Sequence, residues 1–489
     1  GKLEAGAVRE YRAVFLVNGI LLLILGLAML VPALLDARVG HPDWQVFLAA
    51  AFLTGFVGGA LSITCWGSGQ DLQLRQAFVL TTSMWIVTPA FAALPFAFSD
   101  LDLSYTDAFF EAMSGITTTG STVISGLEQA PPGILIWRAL LQWMGGVGII
   151  VTAVAILPIL QVGGMQLFRM ESSDASEKVL PRTAQIAGTI SIIYLALSFI
   201  CALFYWVAGM PAFEAAAHAM TTIATGGFST SDSSIGIYDS ALIDYTATAF
   251  MIIGSLPFLL YFQVLRGRPL ALWRDSQVRW FFAILSVAIV GMTMWQVGGN
   301  DVELGRAVRF TAFNVTSILT GTGYATDDYG QWGGFAVVLF FFVMFIGGCA
   351  GSTSCGIKIF RFQVLYAAAR TQMGRLLQPH GVFVANFNRR PIPDSVMDSV
   401  MSFFFLFALS FAVLAVALSL LGLDFLTAVS GAGTAIANVG PGLGDVIGPS
   451  GTFAPLPDLA KWLLAAGMLL GRLELLTVMV LFSRTFWRG

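Results

Sequence analysis

Four short segments of this chain rhyme, each lying between long apolar stretches: Ile116–Gly120 (ITTTG), Ile223–Gly227 (IATGG), Leu319–Gly323 (LTGTG) and Ile436–Gly440 (IANVG). Each is a branched apolar residue, three small or uncharged residues and a glycine. The helix-like stretch before each one is about 12–15 residues long, which at ~1.5 Å per residue spans only ~20 Å of a ~30 Å hydrocarbon core. Such a stretch can enter a membrane and must turn back. Four of them in one chain are the pattern of a fourfold pore-loop arrangement.

The surrounding composition demands a membrane. The chain has 489 residues, 57% of them hydrophobic and 11% charged, with a mean hydropathy of +0.80. That is too apolar for a soluble protein and long enough for many spans. The charges separate by side. The N-terminal tail and segments 66–76, 161–182, 266–279, 358–390 and 484–489 hold 19 of the 25 Lys and Arg. The positive-inside rule makes their side cytoplasmic, so both termini are expected inside. The opposite side carries acidic residues, among them Asp107, Glu111, Glu214, Asp239, Asp244 and Asp424, a field that would concentrate cations at an outer mouth. The four cysteines sit in or beside apolar runs, which argues against a disulfide framework. The first apolar run, from about Val14 to Leu35, is long enough to span, so no cleavable signal peptide is expected.

The expected fold is an all-α integral membrane protein with a two-helix preamble and four helix/pore-loop/helix repeats around a central pore. Residues 1–75 form the preamble, with spans Val14–Leu35 and Val46–Trp66; the repeats occupy 76–182, 183–275, 276–390 and 391–489. Their outward spans are expected at Ala77–Phe98, Thr183–Gly209, Val278–Val297 and Val396–Leu421. The returning spans are expected at Ile134–Leu160, Leu242–Leu265, Phe335–Ala369 and Leu459–Phe486. The short helices carry N-terminal signals: Ser104 with Asp107 resembles a capping box, Pro211 with Glu214 suits a first turn, and Asp424 can cap the last copy. Helices entering from outside would aim the negative ends of their dipoles at the membrane centre, favouring a cation there.

The triplets Thr117, Thr118, Thr119; Ala224, Thr225, Gly226; Thr320, Gly321, Thr322; and Ala437, Asn438, Val439 contain no charged side chain. Ligands there must be backbone carbonyls, helped by threonine hydroxyls. Irregular backbone at membrane depth is tolerated where it lines a cavity, and a dehydrated cation satisfies its free carbonyls. The terminal Gly120, Gly227, Gly323 and Gly440 can adopt the positive φ that a change of chain direction requires. Other glycines, such as Gly145, Gly146 and Gly148, read as close-packing sites.

The third returning span contains Gly347, Gly348, Gly351, Ser352, Thr353, Ser354 and Gly356 within ten residues and reads as unlike the other three. Glycines and hydroxyls both weaken a helix, so this stretch is either an unwound gate below the filter or a kinked, static helix. Arg472 and Glu474 lie inside the last apolar run, where a charge usually faces a cavity or a partner. Arg472 could hold the 347–356 stretch or belong to a local ion pair. Lys358 could snorkel to the cytoplasmic surface. His41, His218 and His380 are scattered and make no metal site with one another. His218, on the second short helix, suits a packed, hydrogen-bonded imidazole. No zincin, Walker A or nucleophile-elbow string occurs, and no enzyme is expected.

On strings such as TTIATGG (221–227), TAIANVGPG (434–442) and GRLE (471–474), the chain resembles the Trk/Ktr/HKT superfamily of potassium transporters, and within it the bacterial Trk branch. That resemblance covers nearly the whole chain. It implies that Gly120, Gly227, Gly323 and Gly440 are filter glycines, and that 347–356 is an intramembrane loop obstructing the pore with Arg472 holding it. It further implies homodimerisation and a cytoplasmic nucleotide-binding regulatory subunit of the TrkA type. Related sodium-favouring proteins often have serine at the first of these glycines, so Gly120 leans toward potassium. The expected activity is K⁺ uptake across a bacterial cytoplasmic (inner) membrane through a gated pore, with K⁺ as the transported ion and no bound organic cofactor. An H⁺- or Na⁺-coupled K⁺ symporter is the alternative. The basic segments 161–182, 266–279 and 358–390 are candidate docking surfaces, or contacts to anionic lipid; nothing points to nucleic acid.

Overall fold

The computed structural model describes residues 11–67, 73–155, 167 and 179–488. Most of segment 161–182 and part of 66–76 lie outside these residues, as do Lys2 and Arg9 of the N-terminal tail. Among the described residues the fold is helical except for a two-stranded ladder, Asn386–Phe387 with Arg390–Pro391.

Helices α1 (Arg12–Val39) and α2 (Asp43–Cys65) form the N-terminal hairpin. They pack through small residues: a Cβ on Gly58 would lie 2.7 Å from the Gly19 carbonyl oxygen, so only glycine allows this approach. Four long helices follow at intervals: α3 (Leu74–Phe98), α6 (Val179–Val207), α10 (Ser276–Gly299) and α14 (Asp394–Leu420). Each leads into a short one: α4 (Tyr105–Ile116), α7 (Ala212–Ile223), α11 (Leu304–Leu319) and α15 (Phe425–Ala437), of 12, 12, 16 and 13 residues. Asp424 accepts from Thr427 N at 3.2 Å, capping α15. At α4, Ser104 Oγ accepts from Asp107 N at 3.1 Å; the Asp107 carboxylate takes the Ser104 hydroxyl at 3.0 Å and the Lys461 ammonium, not the N-cap amide that a capping box requires. Pro211 sits at the N-cap of α7, one position before the first turn.

The returning elements depart from expectation. The first, α5 (Pro132–Ala155), is continuous. The second breaks between α8 (Ala241–Ser255) and α9 (Phe258–Leu265) with a bend of 92°. Pro257 supplies the cause, lacking an N–H and clashing with the preceding turn. The third breaks between α12 (Gly334–Val343) and α13 (Ile359–Leu377). The fourth breaks by 107° between α16 (Asp458–Arg472) and α17 (Leu476–Phe482), where Glu474 and Leu475 adopt φ of 61° and 35°. The third span is therefore not unlike its neighbours; three of the four are interrupted.

Among the described residues, seven helices are long and apolar enough to cross a membrane, or up to nine if each bent pair counts as one span. Phe52, Ile63, Val287 and Leu420 present more than 70% of their surface outward, which water would penalise and lipid accepts. The chain is an all-α integral membrane protein.

Candidate functional site

The four short helices end alike. In each, the third residue of the glycine segment, one or two positions past the helix, is left-handed: Thr118 (φ 53°), Thr225 (50°), Gly321 (76°) and Asn438 (53°). Its amide bonds three residues back, and the next amide bonds five back: Thr119 N to Ser114 O at 2.9 Å, Gly226 N to Thr221 O at 2.8 Å, Thr322 N to Ser317 O at 2.8 Å and Val439 N to Thr434 O at 3.1 Å. This is the Schellman termination. Three of the four left-handed residues carry a Cβ, at a cost of roughly 1–2 kcal/mol each. Two residues on, the chain turns left-handed again at Gly120, Gly227, Gly323 and Gly440, with φ of 93°, 80°, 86° and 112°.

Contacts between repeats close a ring. A Cβ on Gly120 would overlap Gly226 O, one on Gly227 would overlap Thr322 O, one on Gly323 would overlap Val439 O, and one on Gly440 would come within 2.7 Å of Thr119 O. Each glycine thus backs onto the carbonyl preceding the glycine of the next repeat, and the fourth returns to the first. Among the described residues, Thr119 O, Thr322 O and Val439 O accept no hydrogen bond. Gly226 O is different, because Gln142 on α5 donates to it at 2.7 Å while accepting from Phe228 N at 3.0 Å. All four triplets are buried.

Sequence reasoning missed the supports. Six residues before each glycine stands a buried hydroxyl: Ser114, Thr221, Ser317 and Thr434. Ser114 accepts from Gly120 N at 3.1 Å and Thr434 from Gly440 N at 2.9 Å; Ser317 donates to Tyr324 O at 2.7 Å. That fixed offset was readable once the glycines were aligned. Arg138 and Gln142 on α5 left no comparable signal. Arg138, 1% exposed, pairs with Glu111 of α4 at 2.9 Å and donates to Thr122 Oγ1 at 3.3 Å and Ser229 O at 2.6 Å, the last two joining the loops after the first two glycine segments. We expect Arg138→Met, which strands a buried Glu111, to lower stability by about 3–5 kcal/mol; adding Glu111→Gln should recover part of it in detergent melting curves.

The acidic field at the outer side is weaker than composition suggested. Glu111 is paired with Arg138 and Asp107 with Lys461, while Asp239 and Asp244 share the single charge of Arg309. Glu128, in the loop after the first segment, receives the Ser231 hydroxyl at 2.7 Å, which holds its carboxyl below the usual range. His218 is hydrogen-bonded on both ring nitrogens, to Glu214 O and Ser229 Oγ.

The 347–356 stretch is a pinched loop against the inner end of the glycine segments. Its neck is closed by Ile357 N to Phe345 O and Lys358 N to Ile346 O, both 2.9 Å. Gly347 and Gly356 face each other there with φ of 74° and 80°, too close for a Cβ on either. The Pro257 break frees the last carbonyls of α8, and the loop takes them: Cys349 N donates to Ser255 O at 3.0 Å and Thr353 N to Gly254 O at 3.2 Å. Gly348 N is held by Ser354 Oγ at 2.8 Å, Ser352 Oγ donates to Cys349 O at 2.6 Å, and Gly351 O accepts from Phe258 N at 3.0 Å. Thr353 Oγ1 reaches Ile223 O at 2.9 Å, and Ser354 donates to Thr320 O. Cys355 Sγ lies 4.0 Å from the Thr118 hydroxyl.

Arg472, 3% exposed, donates to Thr353 O at 3.2 Å and to Gly145 O at 3.1 Å, and also contacts Cys355 Sγ. Residues of all four repeats therefore meet at this loop. Glu474 is not the partner of Arg472. It pairs with Lys358 at 3.0 Å and with Arg361. Lys358 is 5% exposed and Arg361 fully buried, so neither reaches the cytoplasmic surface. Gly145 packs against the Ile116 carbonyl and Gly146 against Ala224, so both press on the glycine segments; Gly148 meets nothing.

Four short helices ending in glycine turns that join in a ring, set among long apolar helices, define a multi-span membrane protein with fourfold internal repetition. A family model described as "TrkH: Cation transport protein" matches residues 43–488. Over 98% of both chains, the sequence is 47% identical to the Trk system potassium uptake protein TrkI of Halomonas elongata. It is 39% identical to the Trk system potassium uptake protein TrkH of Escherichia coli K12, covering 98% of this chain and 100% of that one. A crystal structure of the potassium transporter TrkH from Vibrio parahaemolyticus superposes with a TM-score of 0.91 at 35% identity, covering 98% of this chain and 100% of that chain. The chain belongs to the TrkH family of cation transport proteins.

Proposed function

We propose that this protein takes up K⁺ across a bacterial cytoplasmic membrane, through a pore whose filter is built from the backbone carbonyls of the four glycine segments. The single observation that carries the proposal is the closed ring of glycine-to-carbonyl contacts from Gly120 through Gly440 back to Thr119. Three ring carbonyls free of protein donors are costly in a buried site and are satisfied by a cation that has shed its water. The relatives' role in potassium uptake supports the choice of ion.

In this reading the loop 347–356 closes the cytoplasmic side of the filter and Arg472 latches it. The chain is a transporter and performs no covalent chemistry. The concentration of Lys and Arg in the basic segments supports both termini lying inside. The working assembly is a homodimer with a nucleotide-binding subunit of the TrkA type docked on cytoplasmic segments including 266–279. The test is ion flux in proteoliposomes containing the purified chain. Currents reversing at the K⁺ equilibrium potential support a channel-like pore; a reversal potential that moves with the proton or sodium gradient supports coupled symport instead.

A further inference from the structure

On sequence the histidines make no site with one another. Folding, however, sets His41 beside two carboxylates at the turn of the N-terminal hairpin. One ligand atom from each of Asp36, His41 and Asp43 lies within 4.8 Å of the others. Asp36 is 0% and Asp43 1% exposed, and Oδ2 of each has no hydrogen-bond partner. Among the described residues neither carboxylate pairs with a Lys or Arg. Two buried carboxylates with unpartnered oxygens, facing one another and an imidazole, leave a strong uncompensated demand for positive charge.

We propose that Asp36, His41 and Asp43 bind a divalent transition-metal ion of the zinc class, which pins the hairpin to the first repeat. The other carboxylate oxygens are already committed: Asp36 Oδ1 accepts from Gly133 N at 2.7 Å and Asp43 Oδ1 from Asp100 N at 3.2 Å. These bonds orient each carboxylate and leave one oxygen per residue for a metal. Asp43 N–H points at His41 Nδ1 from 3.3 Å, so this nitrogen carries the lone pair, and a metal at Nδ1 would take it in place of that long hydrogen bond. Nδ1 also lies 3.8 Å from Asp43 Oδ2, on the metal side. Nε2–H then faces the Asp100 carboxylate, whose Oδ2 lies 3.9 Å away, beyond hydrogen-bond distance.

Ligand chemistry selects the ion. Two single oxygens and one nitrogen suit Zn²⁺ at ~2.0–2.2 Å with water in the fourth position. The 30% exposure of the His41 side chain provides access for that water. Ca²⁺ requires about six to eight oxygens, far more than this site offers, and Mg²⁺ avoids imidazole. Gly133 opens α5 and Asp100 follows α3, so the bound ion joins the preamble to both helices of the first repeat.

The experiment uses untagged full-length protein in detergent, stripped with chelator, reloaded with Zn²⁺ in the presence of excess Mg²⁺ and Ca²⁺, desalted, and counted by elemental analysis. One Zn²⁺ per chain and a raised melting temperature are expected. His41→Gln alters a partly exposed side chain and should fold normally; it should bind Zn²⁺ about 10–100-fold more weakly, with K⁺ uptake unchanged. Asp43→Asn should weaken binding similarly. The proposal is overturned by substoichiometric Zn²⁺ in the native chain, or by equal retention in His41→Gln. It is equally overturned if acidification stabilises the native protein while Zn²⁺ does not, since the two carboxylates would then share only a proton.

Discussion

Replacing Arg472 with alanine should raise basal K⁺ flux. The guanidinium donates to Thr353 O in the loop and to Gly145 O in the first repeat, so in the proposed gate it ties the loop to α5. Hydrogen bonds from a charged group are worth about 1.5–3 kcal/mol. Losing that much from the closed state shifts the closed-to-open ratio by roughly ten- to a hundredfold. Trimming the loop within 351–355 should act in the same direction by removing the obstruction. The loop also carries structural bonds to Gly254 O, Ser255 O and Ile223 O, so expression and melting must be checked alongside. Fluorescence-monitored K⁺ flux in proteoliposomes checks the effect, and a well-folded Arg472→Ala with native basal flux would remove the gate.

Gly227→Ser should erode the preference for K⁺ over Na⁺. Two effects combine at this position. Its φ of 80° disfavours any residue with a Cβ, and the added Cβ would overlap Thr322 O of the next repeat. That carbonyl must move, and it accepts no hydrogen bond to steer it back. Because the ring is closed, displacement at one joint is passed to its neighbours. We expect the K⁺/Na⁺ permeability ratio to drop by about tenfold, equivalent to ~1.4 kcal/mol of differential stabilisation. Bi-ionic reversal potentials measure it; a native ratio in a protein that melts normally would count against the filter.

Much of the architecture was legible because membrane depth leaves few options. The outward helices start and end within a few residues of their apolar runs; α14, for example, covers Asp394–Leu420. The short helices were recognisable by length, and the glycines by their alignment. The breaks in the second and fourth returning spans were not, because apolar composition runs straight through them. Pro257 was a visible signal that hydropathy averaging hid, while the break at Glu474 and Leu475 is a tertiary outcome with no local breaker. Long-range pairing was equally hidden. The partners of Glu474, Lys358 and Arg361, lie 116 and 113 residues away in the chain. Asp36 and Asp43 lie close to His41 in the sequence, but the backbone donors that orient them, Gly133 N and Asp100 N, come from the first repeat and were equally hidden.

The ring of carbonyls can be examined without any mutation. Crystals or frozen grids of the full-length protein prepared in Rb⁺ or Tl⁺ should show ion density on the axis bounded by Thr119 O, Gly226 O, Thr322 O and Val439 O, exchanging when K⁺ is restored. An axis without ion density in protein competent for K⁺ uptake, or ions bound only away from these four segments, would contradict a carbonyl filter.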